Sequence, residues 1–106
     1  MTKTKEKNLS ELKKIILDSI NPEEHSVFLF GSRATQTSKH YSDFDIGILG
    51  KKPLGKAYHK IINQIEDFFI PYKIDLVDFY FVKNDFKKEV LKGAIFWNKP
   101  KDMNSN

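Results

Sequence analysis

The chain contains no cysteine, which excludes a disulfide framework and fits a cytosolic setting. It also lacks any apolar run of ~18 residues, which excludes a membrane-spanning helix. Its basic first residues lead into an amphipathic segment and not into the apolar core of a signal peptide. We therefore expect a cytoplasmic protein with no membrane segment.

The chain has no large excess of charge of either sign. Lysine and arginine together number 18 against 14 aspartates and glutamates, a formal net charge of +4. The lysines are scattered and Arg33 is the single arginine, so an ordinary soluble surface is favoured over direct nucleic-acid binding. A phosphate-rich small ligand or an acidic partner surface fits the same balance.

The apolar content is sufficient for one folded domain. The chain has 106 residues, of which 40% are hydrophobic and nine are phenylalanine. We expect a flexible N-terminal segment over residues 1–8, a single domain over residues 9–98 and a flexible C-terminal tail over residues 99–106.

Apolar periodicity predicts alternating helices and strands. The predicted helices run from about Leu9 to Ile20, Lys56 to Phe69 and Asp85 to Lys92. The predicted strands cover Val27 to Phe30, Phe44 to Leu49, Lys73 to Phe79 with Val82 as an alternative end, and a short edge strand from Ala94 to Trp97. This order indicates the α/β (α+β) class, with helices covering a small β-sheet. The short connections favour antiparallel pairing of the first two strands.

Two local signals mark predicted helix ends. Asn8 and Glu11 have the spacing of a capping box at the start of the first helix. Gly93 is placed to end the last helix in the left-handed conformation.

Three aspartates are the main candidates for chemistry. Asp43 and Asp45 stand two apart at the start of a strand, so both point to one face while Phe44 points to the core. Asp75 interrupts another apolar strand, where a carboxylate is costly unless something offsets it. If the two strands are neighbours, the three carboxylates form a site for Mg²⁺, which is usually held by carboxylates and substrate phosphates.

A Gly-Ser turn after the first strand supplies a candidate phosphate site. Gly31 permits a close backbone approach, and Ser32 adds a hydroxyl donor ahead of a predicted helix start, where free N–H groups favour an anion. Arg33 can form a fork with a phosphate oxygen or a carboxylate. A lone Gly-Ser is an ordinary turn and a lone Asp-x-Asp is more often a solvated strand end, so only the combination is specific.

Asp78 and the three histidines are not predicted to be ligands. Asp78 lies three residues after Asp75, on the opposite face or at the strand end, and is predicted to be a solvated strand end or a cap and not a ligand. His25, His40 and His59 lack ligand spacing and are predicted to be surface residues.

Four segments carry a family resemblance: Gly31-Ser32-Arg33-Ala34, residues 42–48, residues 74–78 and the closing residues 92–97. Over about Leu9 to Trp97 the chain resembles the minimal nucleotidyltransferase (MNT) branch of the DNA polymerase β-like superfamily. The resemblance implies a mixed sheet with flanking helices. It also implies Mg²⁺-dependent transfer of a nucleoside monophosphate from a nucleoside triphosphate to a hydroxyl.

By the family pattern, Gly31 and Ser32 hold the triphosphate, with Arg33 beside them. Asp43 and Asp45 bind both of two Mg²⁺ ions, with Mn²⁺ as an alternative. Asp75 binds the catalytic metal and helps deprotonate the acceptor. The chain departs from the family at 35–37, Thr-Gln-Thr, where members often carry a glycine, which leaves the nucleotide preference open.

MNT proteins are commonly paired with HEPN toxins. The resemblance therefore implies an antitoxin of a type VII-like toxin–antitoxin module that transfers AMP from ATP to a hydroxyl, expected to be a tyrosine, of a HEPN partner. One alternative is a binding module that neutralises its partner by occlusion without catalysis, and the intact aspartate set disfavours it. Another is modification of a small molecule such as an aminoglycoside, which the lack of an evident acceptor domain disfavours.

Overall fold

The structure is a computed structural model that describes residues 2–31, 44–68 and 72–98. The helices in these ranges are α1 (Thr2–Ser19), α2 (Lys56–Phe68) and α3 (Asn84–Lys92), and a 3₁₀-helix spans Phe79–Phe81. The strands in these ranges are β1 (His25–Phe30), β2 (Phe44–Gly50), β3 (Ile74–Asp78) and β4 (Ile95–Phe96). No helix in these ranges combines the length and apolar character needed to cross a membrane.

The strands form one four-stranded sheet in the order β3-β2-β1-β4. β1 pairs antiparallel with both β2 and β4, and β2 pairs parallel with β3. The α/β (α+β) class, the mixed sheet and the antiparallel pairing of the first two strands are thereby confirmed. The parallel pair requires a crossover, which the segment containing α2 provides.

One face of the sheet is covered by α1 and α2. Successive strand residues alternate between faces, so alternate positions of β1 and β2 supply this core. Its buried side chains include Val27, Leu29, Phe44, Ile46, Ile48 and Leu76 from the sheet, Leu12 and Ile16 from α1, and Ile61 and Ile65 from α2. Burial of these side chains provides most of the driving force that holds the two helices on the sheet.

The opposite face carries a cluster of aromatic rings. Phe79 of the 3₁₀-helix packs edge-to-face on Phe28 and Phe30, with ring centroids 4.9 and 5.2 Å apart. Gly47 lies opposite Phe28 in the sheet, and a Cβ at this position would stand 2.7 Å from Cε1 of Phe79. The rings therefore occupy the space above Gly47, and any side chain there would displace them.

The N-terminal helix is longer than the sequence pattern predicts. α1 begins at Thr2, whereas the apolar stripe places its start at about Leu9. The predicted capping box is wrong, because Asn8 lies inside the helix and cannot occupy a cap position. The lysines and glutamate before Leu9 are good helix formers without an apolar periodicity, so they extend the helix without marking it. The division at residues 8/9 and 98/99 stays a prediction, and residues 99–106 lie outside the described ranges.

Two predicted ends near the C-terminus are also corrected. β3 stops at Asp78, one residue before the predicted end, because the chain turns there into the 3₁₀-helix. Gly93 follows α3 with φ −110° and ψ 10°, so it is not left-handed as predicted. Its N–H donates to Val90 O at 3.2 Å and closes the last turn in 3₁₀ fashion, which requires no positive φ.

Within the described ranges, one histidine is buried and one is exposed. His25 opens β1 and is buried, with Nε2 2.9 Å from Lys52 O, so its predicted surface position is wrong. It lies opposite Gly50, which has no side chain to exclude the ring. His59 is exposed as predicted, and His40 lies outside the described residues.

Candidate active site

Two of the predicted aspartates lie side by side in the sheet. Asp45 of β2 is the register partner of Asp75 of β3, and on its other side Asp45 is paired with Phe30 of β1. Register partners point to the same face, so these three side chains form one row across the sheet. The row lies on the face that carries the aromatic cluster. The structure thus brings Asp45 and Asp75 together, as expected if the two strands are neighbours.

The two carboxylates differ in their exposure to solvent. Asp45 is only 1% exposed, whereas Asp75 is exposed at the edge strand. An ionised carboxylate as deep as Asp45 requires hydrogen-bond donors or positive charge close by. The arrangement therefore pairs a buried, fixed acidic group with one that an incoming molecule can reach.

Gly31 places the backbone of the predicted phosphate turn against Asp45. It follows β1 directly and has φ +79°, a left-handed conformation that glycine adopts without strain. A Cβ at this position would stand 2.7 Å from Cγ of Asp45 and 2.9 Å from its Cβ. The carboxylate thus fills the space that any side chain at position 31 would need.

The other predicted site residues, Ser32, Arg33 and Asp43, lie outside the described residues. Their assigned roles stay predictions. Phe44, which follows Asp43, is buried on the opposite face of the sheet as expected.

Asp78 is confirmed as a structural cap. Its Oδ1 accepts the Tyr80 N–H at 3.0 Å, and its Oδ2 accepts the Leu54 N–H at 2.9 Å. The first bond caps the 3₁₀-helix, and the second ties the loop before α2 to the end of β3. Because Asp78 stands three residues after Asp75, it points away from the row that contains Asp45.

The donor set at the row suits a hard divalent cation. Asp45 and Asp75 offer carboxylate oxygens from adjacent register positions, and like charges placed so closely repel one another in the absence of a cation. No cluster of three or more potential ligands occurs within residues 2–31, 44–68 and 72–98, the ranges that leave out Asp43. The two described carboxylates fit the usual Mg²⁺ arrangement, in which one or two carboxylates act together with substrate phosphates.

Phe30 is a feature of the site that the sequence interpretation did not locate. It is 5% exposed, lies next to Asp45 in the row and packs its ring on Phe79. An apolar wall beside a carboxylate lowers the local dielectric and strengthens its attraction to a cation. The alternation of β1 does predict that Phe28 and Phe30 lie on the same face. The register of β1 on β2 is needed to show that Asp45 lies on that face too.

Comparison with known proteins gives a family match over most of the chain. The model of the family described as Polymerase beta, Nucleotidyltransferase matches residues 10–102. A Haemophilus influenzae protein named "Probable protein adenylyltransferase MntA" is 31% identical over 80 residues, which cover 74% of this chain and 69% of the relative.

Solved structures with the same fold come from toxin–antitoxin complexes. One is a toxin–antitoxin with AMP-PNP, with a TM-score of 0.61 and 24% identity over 84% of this chain and 72% of that chain. Another is a tri-AMPylated Shewanella oneidensis HEPN toxin in complex with MNT antitoxin, with a TM-score of 0.64 and 24% identity over 92% of this chain and 76% of that chain. At these identities the likeness shows the fold.

Proposed function

The chain belongs to the Polymerase beta nucleotidyltransferase family, and we propose that it transfers AMP from ATP to a hydroxyl of a HEPN-type toxin and so acts as its antitoxin. The observation that carries this proposal is the register pairing of Asp45 with Asp75, beside the Gly31 turn. A site of this kind needs paired carboxylates next to a backbone that can approach phosphates.

The relatives support the choice of nucleotide and acceptor. The Haemophilus influenzae relative is named a probable protein adenylyltransferase, one structural neighbour was solved with AMP-PNP, and another contains an AMPylated HEPN toxin. We expect a tyrosine hydroxyl as acceptor, and a cytoplasmic reaction in a type VII-like toxin–antitoxin module.

The phosphate side of the site begins at Gly31. In the proposal, the backbone at Gly31 and the Ser32 hydroxyl hold the triphosphate, and Arg33 adds a charged fork to a phosphate oxygen. Gly31 suits this role because its position lacks a Cβ and has positive φ, so the turn approaches the carboxylate closely. The triphosphate is thereby set beside Asp45.

The carboxylates serve the transfer itself. Asp43, Asp45 and Asp75 are proposed to hold two Mg²⁺ ions, which when bound activate the attacking oxygen and stabilise the leaving one. The acceptor oxygen forms a bond to the α-phosphorus, the bond to pyrophosphate breaks, and Asp75 takes the proton of the hydroxyl. Asp75 is suited to this step because it is exposed at the sheet edge, where an acceptor can reach it.

Metal binding gives a first prediction. A bound cation relieves the repulsion between adjacent carboxylates. Mg²⁺ or Mn²⁺ should therefore raise the melting temperature of the protein, and ATP should raise it further. At a concentration 100 times Kd the gain in stability is about 2.7 kcal/mol. Differential scanning fluorimetry measures the shift, and Asp78→Asn serves as the control that retains it. No shift with either ion, in the presence or absence of ATP, would contradict the site assignment.

The proposed transfer is tested by the mass of the partner. A HEPN-type toxin incubated with this protein, ATP and Mg²⁺ should gain one or more AMP units on a hydroxyl side chain, as read by intact-mass spectrometry. The Asp43→Asn/Asp45→Asn double variant should add none. If both proteins suppress toxicity equally and the mass never changes, the enzyme proposal fails and neutralisation by occlusion replaces it.

A further inference from the structure

A cavity of about 570 Å³ opens beside β3, the outermost strand of the sheet that the described residues form. Its walls include Pro53, Tyr58 and His59 from the α2 side, Leu76 and Val77 from β3, and Phe81 from the 3₁₀-helix. The volume lies within the range of clefts that bind a ligand, about 300–1,000 Å³. The proposed metal and phosphate chemistry does not use this cavity.

Exposed aromatic side chains lie on the 3₁₀-helix and α3, close in the chain to the cavity wall. Phe81 is 72% exposed, the largest value among the large hydrophobic side chains in the described ranges. Tyr80 and Phe86, within five residues of Phe81, are 45% and 56% exposed. The rings of Tyr80 and Phe81 are in contact, with centroids 5.1 Å apart, and an exposed aromatic pair beside a concave site is typical of a surface that another protein covers.

Two polar side chains of the cavity, those of Tyr58 and Asp78, are already engaged by the protein itself. The Tyr58 hydroxyl donates to Leu76 O at 3.2 Å, and the Asp78 carboxylate accepts two backbone N–H groups. The walls therefore offer mainly apolar surface. Lys56 and Lys83, both exposed, stand within two residues of lining residues and add two positive charges near the cavity. An apolar side chain flanked by acidic residues is complementary to this combination.

The cavity is also close to the carboxylate row. Val77 lines it and stands two residues after Asp75 on the same face of β3, which places the two side chains ~7 Å apart along the strand. A protein anchored in the cavity would therefore present its neighbouring segments to Asp75.

We propose that this cavity and Phe81 form the docking site for the acceptor protein, which inserts an apolar side chain flanked by acidic residues. The inference rests on the proposed function for the identity of the occupant. It assigns the positioning of the acceptor to the β3 edge, whereas the carboxylates carry out the transfer.

The test compares Phe81→Glu with the control Phe68→Glu. Phe68 is also an exposed phenylalanine, at 44%, but it lies at the end of α2 beside a separate groove. Calorimetry with a purified HEPN-type toxin gives Kd, and intact-mass kinetics give KM and kcat for that toxin. Phe81→Glu should raise Kd and KM roughly tenfold or more at unchanged kcat, melting temperature and ATP affinity, whereas Phe68→Glu should change none of them. Lys83→Glu should weaken toxin binding, with a smaller effect at high salt.

The outcomes separate this inference from the proposed function. Transfer by wild type with an unchanged KM for Phe81→Glu overturns the docking site and leaves the function standing. Loss of ATP affinity in Phe81→Glu identifies a nucleotide subsite and likewise overturns docking. Toxin binding that Phe81→Glu weakens, without any AMP transfer by wild type, supports docking while the proposed transfer fails. No binding of the toxin to wild type overturns both.

Discussion

Asp45→Asn should reduce the kcat for AMP transfer by ~10³-fold or more, or about 4 kcal/mol of transition-state stabilisation. Asp45 is the buried member of the carboxylate row, so its oxygens are held in place where a cation would lie. The amide is nearly isosteric but lacks the negative charge. The melting temperature without metal should change little, and the Mg²⁺-induced rise should be lost.

Asp78→Asn is the matched control for this result. Asp78 belongs to the neighbouring strand but points to the other face, and its two oxygens accept backbone N–H groups. The amide keeps one accepting oxygen, so the variant should lose about 1 kcal/mol of stability and retain its kcat at saturating toxin. Equal losses of kcat in Asp78→Asn and Asp45→Asn would mean that the wrong face of β3 has been assigned to the site.

Gly31→Ala is expected to have the second large effect. An alanine with φ near +79° costs ~1–2 kcal/mol, and its Cβ would collide with the side chain of Asp45. Relief of the collision moves the carboxylate, and a misplacement of about 1 Å can cost ~10²-fold in rate. We expect a loss of kcat of that order together with a weaker Mg²⁺-induced stabilisation, measured by intact-mass kinetics and scanning fluorimetry.

Gly55→Ala separates the two contributions to this effect. Gly55 has φ +61°, and a Cβ there would meet nothing within 4 Å. The variant therefore carries the backbone cost alone, and its melting temperature should fall while the Mg²⁺-induced rise remains. If Gly55→Ala loses that rise to the same degree as Gly31→Ala, contact with Asp45 is not the reason for glycine at position 31.

The predicted features that the structure confirms depend on local patterns. α2 has a strong apolar stripe and begins at Lys56 as predicted, and its predicted last residue, Phe69, lies outside the described residues. The alternation of β3 correctly separates Asp75 from Asp78, since that separation follows from the side-chain period of a strand alone. The start of α1 was predicted wrongly, because its first residues are helical but show no apolar pattern from which the start of the helix could be predicted.

The geometry of the site could not be predicted in the same way. The sequence indicates that Asp45 and Asp75 would meet if their strands were neighbours. Their direct pairing depends on the register that the crossover through α2 imposes. The contact between Gly31 and Asp45 is equally non-local, because it arises from the register of β1 on β2 and the turn that follows. The burial of His25 was missed for the same reason, since it depends on a glycine across the sheet.

The parallel pairing of β2 with β3 also limits when the Asp45–Asp75 pair can form during synthesis. Asp45 and Asp75 are separated in the chain by the whole of α2, and such long-range pairs form late because the intervening chain must first be ordered. A nascent chain that ends before β3 has the Gly31 turn and Asp45 but not their partner. A chain truncated within α2 therefore lacks Asp75, and the carboxylate row can assemble only after synthesis has passed β3.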